Sequence, residues 1–307
     1  MTATLVDLAT ARGHPALRCD LEYVGLLPAQ ELLPLHLRRE QRRMDRVLRP
    51  PPECGGWGVA TDHGLALVRP LIFDTAHFGV VCADLERIYL QQDASDQQVG
   101  RLLDATLRLA RRRGIQLLSA RPLASQTLVV HHLLRRRFLL VDTSIELGRR
   151  GRKRSSSPPA GARVRAPSPA DSRALRRVAR TFVDNRFHRD PRLQARASAL
   201  YDNWAGAAMQ GRHGQLKVVE AGGRVAGFCT YVTCVDPELR VGQIGLAVLD
   251  RRFRGQGLFA PLVSTCAAEI KGAVVTSTQV DNTGALRAFG RLGLLPFAAR
   301  QILHGWL

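Results

Sequence analysis

The stretch Gly148 to Ala160, reading GRRGRKRSSSPPA, does most to constrain how this chain can fold. Five positive charges without an acid, then serines and two prolines, cannot bury apolar surface. It is expected to be an exposed linker that divides the 307 residues into two halves, each large enough for its own core. A basic run of this kind also has a nucleic-acid-binding reading, which stays open at this point. The expected domains are 1–147, a linker at 148–160, and 161–307.

The first half reads as an α/β unit. Gly58 to Pro70 and His77 to Leu90 have strand composition, broken near Thr61 to Gly64 and Phe73 to Thr75. Ser95-Asp96-Gln97-Gln98 is a capping box, after which Val99, Leu102, Leu103, Thr106, Leu109 and Ala110 share one helical face. Gly114, after the basic turn Arg111 to Arg113, is a stop signal. A strand at Ile115 to Ser119, a helix at Gln126 to Arg137 and a strand at Phe138 to Leu147 complete a β-α-β-α-β succession.

The second half starts again in the same style. A strand at Val164 to Ala166 precedes the capping box Ser168-Pro169-Ala170-Asp171, and Leu175, Val178, Ala179 and Phe182 share a helical face. Strands at Leu216 to Glu220, Arg224 to Thr233 and Val241 to Leu249 lead to a helix at Gln256 to Ile270. A strand at Ala273 to Gln279, a helix at Thr283 to Leu292 and a strand near Arg300 to Trp306 follow. The stripe Leu258, Leu262, Val263, Cys266 and Ile270 is expected to be core.

Several classes are excluded. Apolar residues make up 45% and charged residues 23%, which is globular composition. No apolar run approaches the roughly 18 residues of a spanning helix, and Met1 to Arg12 lacks the pattern of a secretory signal, so cytoplasmic location and no membrane partner are expected. Cys19, Cys54, Cys82, Cys229, Cys234 and Cys266 are scattered, with no spacing for zinc, and are expected as reduced thiols. His131 and His132 are adjacent on a helix and diverge, so no metal is expected. The net charge is +19, with Lys153, Lys217 and Lys271 the only lysines. Two readings of that balance stand, base composition favouring Arg codons or a polyanionic partner (nucleotide, tRNA, anionic membrane), and charge alone does not choose between them.

The chemistry-bearing segment lies between the strand Val241 to Leu249 and the next helix: Arg251-Arg252-Phe253-Arg254-Gly255-Gln256-Gly257-Leu258-Phe259. Glycines let the backbone pass close to a ligand, and the loop feeds a helix start whose unpaired N–H groups favour an anion. An ordinary strand-to-helix turn has the same composition. Neither the Gly-Lys-Ser/Thr of a P-loop nor a dinucleotide Gly-x-Gly-x-x-Gly is present.

With the downstream segment Gln279-Val280-Asp281-Asn282-Thr283-Gly284-Ala285-Leu286-Arg287-Ala288-Phe289 and Gly293, this loop resembles the GNAT superfamily of acyl-CoA-dependent N-acyltransferases. The family's phosphate loop has the form Arg/Gln-x-x-Gly-x-Gly/Ala, matched from Arg254 except that Phe259 replaces the last small residue. Its second segment, Asn-x-x-Ala-x-x-x-Tyr-x-x-x-Gly, is followed except that Phe289 stands at the tyrosine. More narrowly, the chain is similar to the dTDP-fucosamine (dTDP-4-amino-4,6-dideoxygalactose) N-acetyltransferase family. That likeness lies in Arg186-Phe187-His188-Arg189-Asp190-Pro191, Leu200-Tyr201-Asp202-Asn203-Trp204, Ile244-Gly245-Leu246-Ala247-Val248, Leu303-His304-Gly305-Trp306 and Phe73-Asp74-Thr75-Ala76-His77-Phe78-Gly79.

The resemblance implies an α/β (α+β) GNAT fold with a mixed, mostly antiparallel sheet, preceded by a smaller GNAT-like α/β domain. It implies that the strand Val241 to Leu249 bulges and parts from Ala273 to Gln279, leaving a cleft for pantetheine. Leu246, Ala247 and Val248 would hold the pantetheine, with a backbone N–H at Leu246 as oxyanion donor. Arg254, Gly255, Gln256, Gly257, Leu258 and Phe259 would take the pyrophosphate of acetyl-CoA or another acyl-CoA, and Asn282 the cofactor arm. Phe289 cannot donate a proton and keeps only a packing role; Tyr201, Ser277 and Thr278 are substitutes to consider.

For the base, His188 is the first candidate, with Arg186 and Asp190 orienting it or binding substrate, although a histidine there is also readable as structural. Asp236, Glu238 and Gln243 border the acceptor strand, and Gln279 is a further substrate candidate. The expected activity is transfer of an acetyl group to a small-molecule primary amine, such as a nucleotide-linked amino sugar. A transferase using aminoacyl-tRNA and a non-catalytic acyl-CoA-binding module are the alternatives, and a homodimer stays open.

Overall fold

The computed structural model describes residues 4–6, 8–18, 29–48, 55–151, 155–182, 185–236 and 240–307. Cys19, Cys54, Lys153, Glu238 and part of the 148–160 stretch lie outside these residues. The chain divides into two units, Met1–Thr143 with Ala298–Leu307, and Ser144–Phe297. The division falls inside a strand, at Thr143 and Ser144, rather than in the basic stretch, and the carboxyl-terminal residues join the first unit instead of following 161–297. Pairing explains both: the last strand closes on the first unit's sheet, while the strand that ends the first half runs on into the second.

The first unit contains β1 (Thr4–Val6), α1 (Leu8–Gly13), α2 (Ala29–Leu48), β2 (Trp57–Thr61), β3 (Gly64–Pro70), α3 (Ile72–Phe78), β4 (Cys82–Leu90), α4 (Asp96–Arg112), β5 (Leu117–Ala120), α5 (Thr127–Arg135) and the start of β6 (Leu139–Arg149). The segment expected to break and re-enter a strand at His77 is instead the short helix α3, closed by Gly79 in the left-handed conformation, so β4 begins only at Cys82. β4 and β5 are parallel; β1, β2, β3 and β4 pair antiparallel in succession. The anticipated α4 face is buried, with Val99, Leu102, Leu103 and Ala110 against Ala83, Leu85, Ile88 and Leu118. Each fully buried leucine there is worth about 1.5–3 kcal/mol. α2, absent from the pattern reading, places Met44 and Val47 over Leu65, Leu67 and Tyr89.

The second unit contains the end of β6, β7 (Ala162–Arg165), α6 (Ser172–Ala179), α7 (Gln194–Met209), β8 (Gln215–Ala221), β9 (Arg224–Asp236), β10 (Val241–Leu249), α8 (Phe259–Glu269), β11 (Ala273–Gln279), α9 (Thr283–Arg291) and the start of β12 (Leu295–Trp306). Its sheet runs β6-β11-β10-β9-β8-β7, antiparallel except for the parallel pair β10–β11. Leu258, Leu262, Val263, Cys266 and Ile270 are all buried, in one core with Leu147, Ile244, Val274 and Phe289. On the other face α6 and α7 bury Leu175, Val178 and Ala205 against Val218, Phe228 and Val248. Among the described residues, no helix is long and apolar enough to cross a membrane.

Candidate functional site

β10 and β11 run parallel for three pairs only, Val241–Ala273, Gly242–Val274 and Gln243–Val275. The separation has a local cause. Between Ile244, opposite Tyr231, and Ala247, opposite Cys229, β10 carries one residue more than β9, a bulge at Gly245 and Leu246. Only glycine fits at 245, because a Cβ there would stand 2.6 Å from Thr230 Oγ1. Thr276 Oγ1 donates to the Ile244 carbonyl at 3.2 Å and marks the apex where the strands part.

The bulge also sets which backbone groups face the opening. The Leu246 N–H donates to Thr230 Oγ1 at 3.0 Å, so it is directed toward β9 and not toward an acyl oxygen in the gap as the resemblance implied. Farther along, the Asp250 N–H donates to the Ala226 carbonyl, which fixes the alternation: Val248 faces β9, and Ala247 and Leu249 turn their N–H and C=O to the open edge.

At the wide end lies the glycine loop. Gly255 and Gly257 have φ of +78° and +74°, values that side chains resist, which is why α8 starts at Phe259 rather than at Gln256. Leu258, the N-cap residue of α8, supplies no side-chain hydrogen bond, so the first N–H groups of the helix have no side-chain cap. Arg254 folds back along the rim, with Nε on the Leu249 carbonyl (3.2 Å) and Nη2 on the Thr181 carbonyl (3.4 Å). Asp250, buried at the start of the loop, accepts from the Arg252 guanidinium and N–H, and the Arg252 contact lowers its carboxyl pKa below the ordinary value.

These elements enclose a cleft of about 570 Å³ lined by Thr181, Phe182, Ala247, Val248, Leu249, Arg254, Gly255, Phe259, Gln279, Asp281, Asn282, Gly284, Ala285 and Ala288. Six residues named from the sequence (Ala247, Val248, Arg254, Gly255, Phe259 and Asn282) and the substrate candidate Gln279 are thus brought together. Gln256 is turned back, its Nε2 donating to the Arg252 carbonyl. Asn282 caps α9 by accepting from the Ala285 N–H (3.2 Å) and donates to Thr278 Oγ1 (3.1 Å). Phe289 is buried, its ring edge-on to Phe259 at 5.5 Å, as a packing group.

The other candidates stand elsewhere in the second unit. His188 is held at both ring nitrogens: Asn185 Nδ2 lies 2.5 Å from Nδ1, and Nε2 lies 3.1 Å from Ser198 Oγ. Arg186 stacks on the Phe187 ring, and the buried Asp190 accepts from the Arg192 N–H. Neither these three residues nor Tyr201 lines the cleft; Tyr201 packs edge-on against Phe182, which does. Gln243 is exposed at the last parallel pair. Arg189, adjacent to His188, reaches the cleft wall through an ion pair with Asp281 at 2.6 Å.

Sequence reasoning missed the cleft-lining role of Thr181 and Phe182, which follow α6 nearly seventy positions before the loop they border, where no local signal for that role exists. The spacing Gly284, Ala285, Ala288, small residues on one helical face, did carry a signal for a wall that a ligand approaches closely.

Residues 176–294 match the model of the family described as Acetyltransferase (GNAT) family. No curated protein matches the sequence. Among solved structures, a GCN5-related N-acetyltransferase from Sphaerobacter thermophilus superposes with a TM-score of 0.66 at 15% identity, over 99% of this chain and 95% of that one. A tandem GNAT protein from the clavulanic acid biosynthesis pathway gives 0.60 at 13% identity, over 99% and 97%. A GCN5-related glucosamine N-acetyltransferase region of a fungal multi-domain GH3 β-N-acetylglucosaminidase gives 0.60 at 12% identity, over 99% of this chain and 38% of that one. The fold is therefore that of tandem GNAT-like α/β units, as the sequence resemblance implied.

Proposed function

We propose that the protein transfers an acyl group, in the first instance acetyl, from acyl-CoA to a primary amine of a small molecule. One observation carries the reading: a glycine loop with two left-handed residues, an uncapped helix start and two parting strands all border a single cleft. The uncapped N–H groups at the start of α8, beside the exposed Arg254, support a diphosphate site. The open backbone edge at Ala247, with the Leu249 N–H, offers hydrogen bonds to an amide-bearing arm. The small residues Gly284, Ala285 and Ala288 leave width for that arm.

When bound, acyl-CoA supplies an activated thioester, and the chain's own groups orient it. Ala247, rather than Leu246, carries the outward N–H next to the bulge and is the oxyanion donor in this reading. The sugar-specific proposal, a nucleotide-linked amino sugar, is supported by the likeness of the segments around Arg186, Tyr201 and Leu303 to the dTDP-fucosamine acetyltransferase family. A second reading, acyl-CoA binding without turnover, is favoured by Phe289, a buried hydrocarbon ring at the position of the family's proton donor.

Release of free thiol from acetyl-CoA, measured against a panel of alkylamines, amino acids and amino sugars, separates the two. Amine-dependent release supports the transferase. CoA binding without release across the panel supports the binding module. Absence of CoA binding rejects both.

A further inference from the structure

At the bulge of β10 one backbone donor is satisfied by a side chain instead of by the ladder, and that side chain is Thr230. We infer that Thr230 is a positioning residue for acyl transfer, its hydroxyl holding the bulge in the arrangement that turns the Ala247 N–H into the gap; this rests on the acyl-CoA reading of the cleft.

The pairing steps from Ile244 opposite Tyr231 to Ala247 opposite Cys229, so two residues of β10, Gly245 and Leu246, stand against the single residue Thr230 of β9. A bulge of this kind leaves its extra residue without a ladder partner. The Leu246 N–H is directed to β9, where Thr230 Oγ1 accepts it at 3.0 Å in place of a carbonyl. Thr230 is 1% exposed, which shields that acceptor from competing water. Its side chain lies on the α6–α7 face with Phe228, since Cys229 and Tyr231 belong to the core under α8.

The contact depends on the glycine beside it. A Cβ at 245 would stand 2.6 Å from Thr230 Oγ1, so glycine lets the hydroxyl close on the bulge. β11 holds the other flank, through the Thr276 hydroxyl on the Ile244 carbonyl at 3.2 Å. Beyond the bulge the Asp250 N–H on the Ala226 carbonyl restores the register. Ala247 therefore sits between two residues committed to β9, Leu246 and Val248, and its N–H is left to the gap. The peptides on either side of Leu246 share its backbone torsions, so releasing its N–H from β9 redirects the N–H of Ala247. Thr230 stands on the side of β10 away from the gap and acts through β10, not on the substrate.

When an amine nitrogen adds to the thioester carbon, negative charge grows on the carbonyl oxygen. A donor stabilises that charge most when it is already fixed and need not reorganise. Thr230 supplies the fixing and moves no proton, so its effect falls on kcat, while the cradle at Gly255, Gly257 and the start of α8 keeps its hold on the cofactor.

The test compares full-length Thr230→Val, Thr230→Ala and Thr230→Ser with the unmodified protein. Amine-dependent thiol release and calorimetric affinity for acetyl-CoA are measured, together with the infrared carbonyl stretch of bound, carbonyl-labelled acetyl-CoA. Thr230→Val and Thr230→Ala should lose about 10- to 100-fold in kcat with KM and affinity for acetyl-CoA within about threefold, and Thr230→Ser should stay within about threefold throughout. The bound carbonyl stretch should lie below its value in free acetyl-CoA for the unmodified protein and Thr230→Ser, and return toward the free value in Thr230→Val and Thr230→Ala. That measurement needs no acceptor, so it decides the matter alone if no amine is turned over, and Thr230→Ala decides it if Thr230→Val does not fold. Unchanged kcat and carbonyl stretch in Thr230→Val and Thr230→Ala overturn the assignment. So does a Thr230→Ser variant as impaired as Thr230→Val, a parallel loss of acetyl-CoA affinity, or an unmodified protein that binds acetyl-CoA with its carbonyl at the free value. Failure of the unmodified protein to bind CoA or acetyl-CoA overturns the underlying reading instead.

Discussion

The two units use one backbone plan and end with different sites. In the first unit β4 carries one residue more than β3, at Glu86, immediately after its last parallel pair with β5, Leu85 with Ala120. In the second, the bulge of β10 follows its last parallel pair with β11 in the same way. A helix follows each bulged strand, yet the helix starts differ. Ser95 and Gln98 close both arms of a capping box on α4, and Asp96 adds a negative charge to its first turn. α8 has neither cap nor acid, and its loop has two left-handed glycines. The second difference lies at the gap itself. Gln126, the residue before α5, donates to the Ile88 carbonyl of β4, whereas its counterpart Asn282 turns to Thr278 and leaves β10 open. A bulge therefore follows the last parallel pair in both units, and the capping of the next helix is what distinguishes them.

Breaking the second unit's loop should have the largest effect. Gly257→Val forces a β-branched side chain into a left-handed conformation, at a cost of at least 1–2 kcal/mol that also displaces the N–H groups of the cradle, so CoA affinity is expected to fall by roughly 100-fold in calorimetry. Arg254→Ala should cost about tenfold, and because the side chain is exposed the difference should shrink as salt rises from about 0.05 to 0.5 M. In the first unit, Ser95→Ala removes a cap and should lower the denaturation free energy by about 1 kcal/mol without changing CoA affinity.

The smallest effect concerns a capping box inside the second unit, Ser168 with Asp171, which no ligand needs. The Arg165 guanidinium, forked on Asp171 at 2.7 and 2.9 Å, lowers that carboxyl from 3.8 to about 2. A depressed folded-state pKa gives stability that is present above the ordinary value and lost as pH falls from 3.8 toward 2. Arg165→Gln should remove that acid-dependent loss, on the order of 1 kcal/mol given the partial exposure of Arg165, in urea titrations at pH 5 and pH 2.5.

The parts of this plan that rest on local chemistry were readable from the sequence. The Ser95 capping box, the α4 stripe, the α8 stripe and the glycine loop each depend on residues within one turn or one strand of each other. α2 was not readable, because its apolar positions are diluted among arginines and its burial comes from Leu65, Leu67 and Tyr89 in distant strands. Nor was the direction of the Leu246 N–H, which depends on a threonine sixteen residues earlier. Thr181 gains its place in the cleft wall only through tertiary packing.

Calorimetric titration of the full-length protein with CoA tests the central claim most directly. The account requires one CoA per chain, with binding greatly weakened in Gly257→Val and unaltered in Ser95→Ala. Two equivalents per chain, or full affinity retained in Gly257→Val, would contradict it.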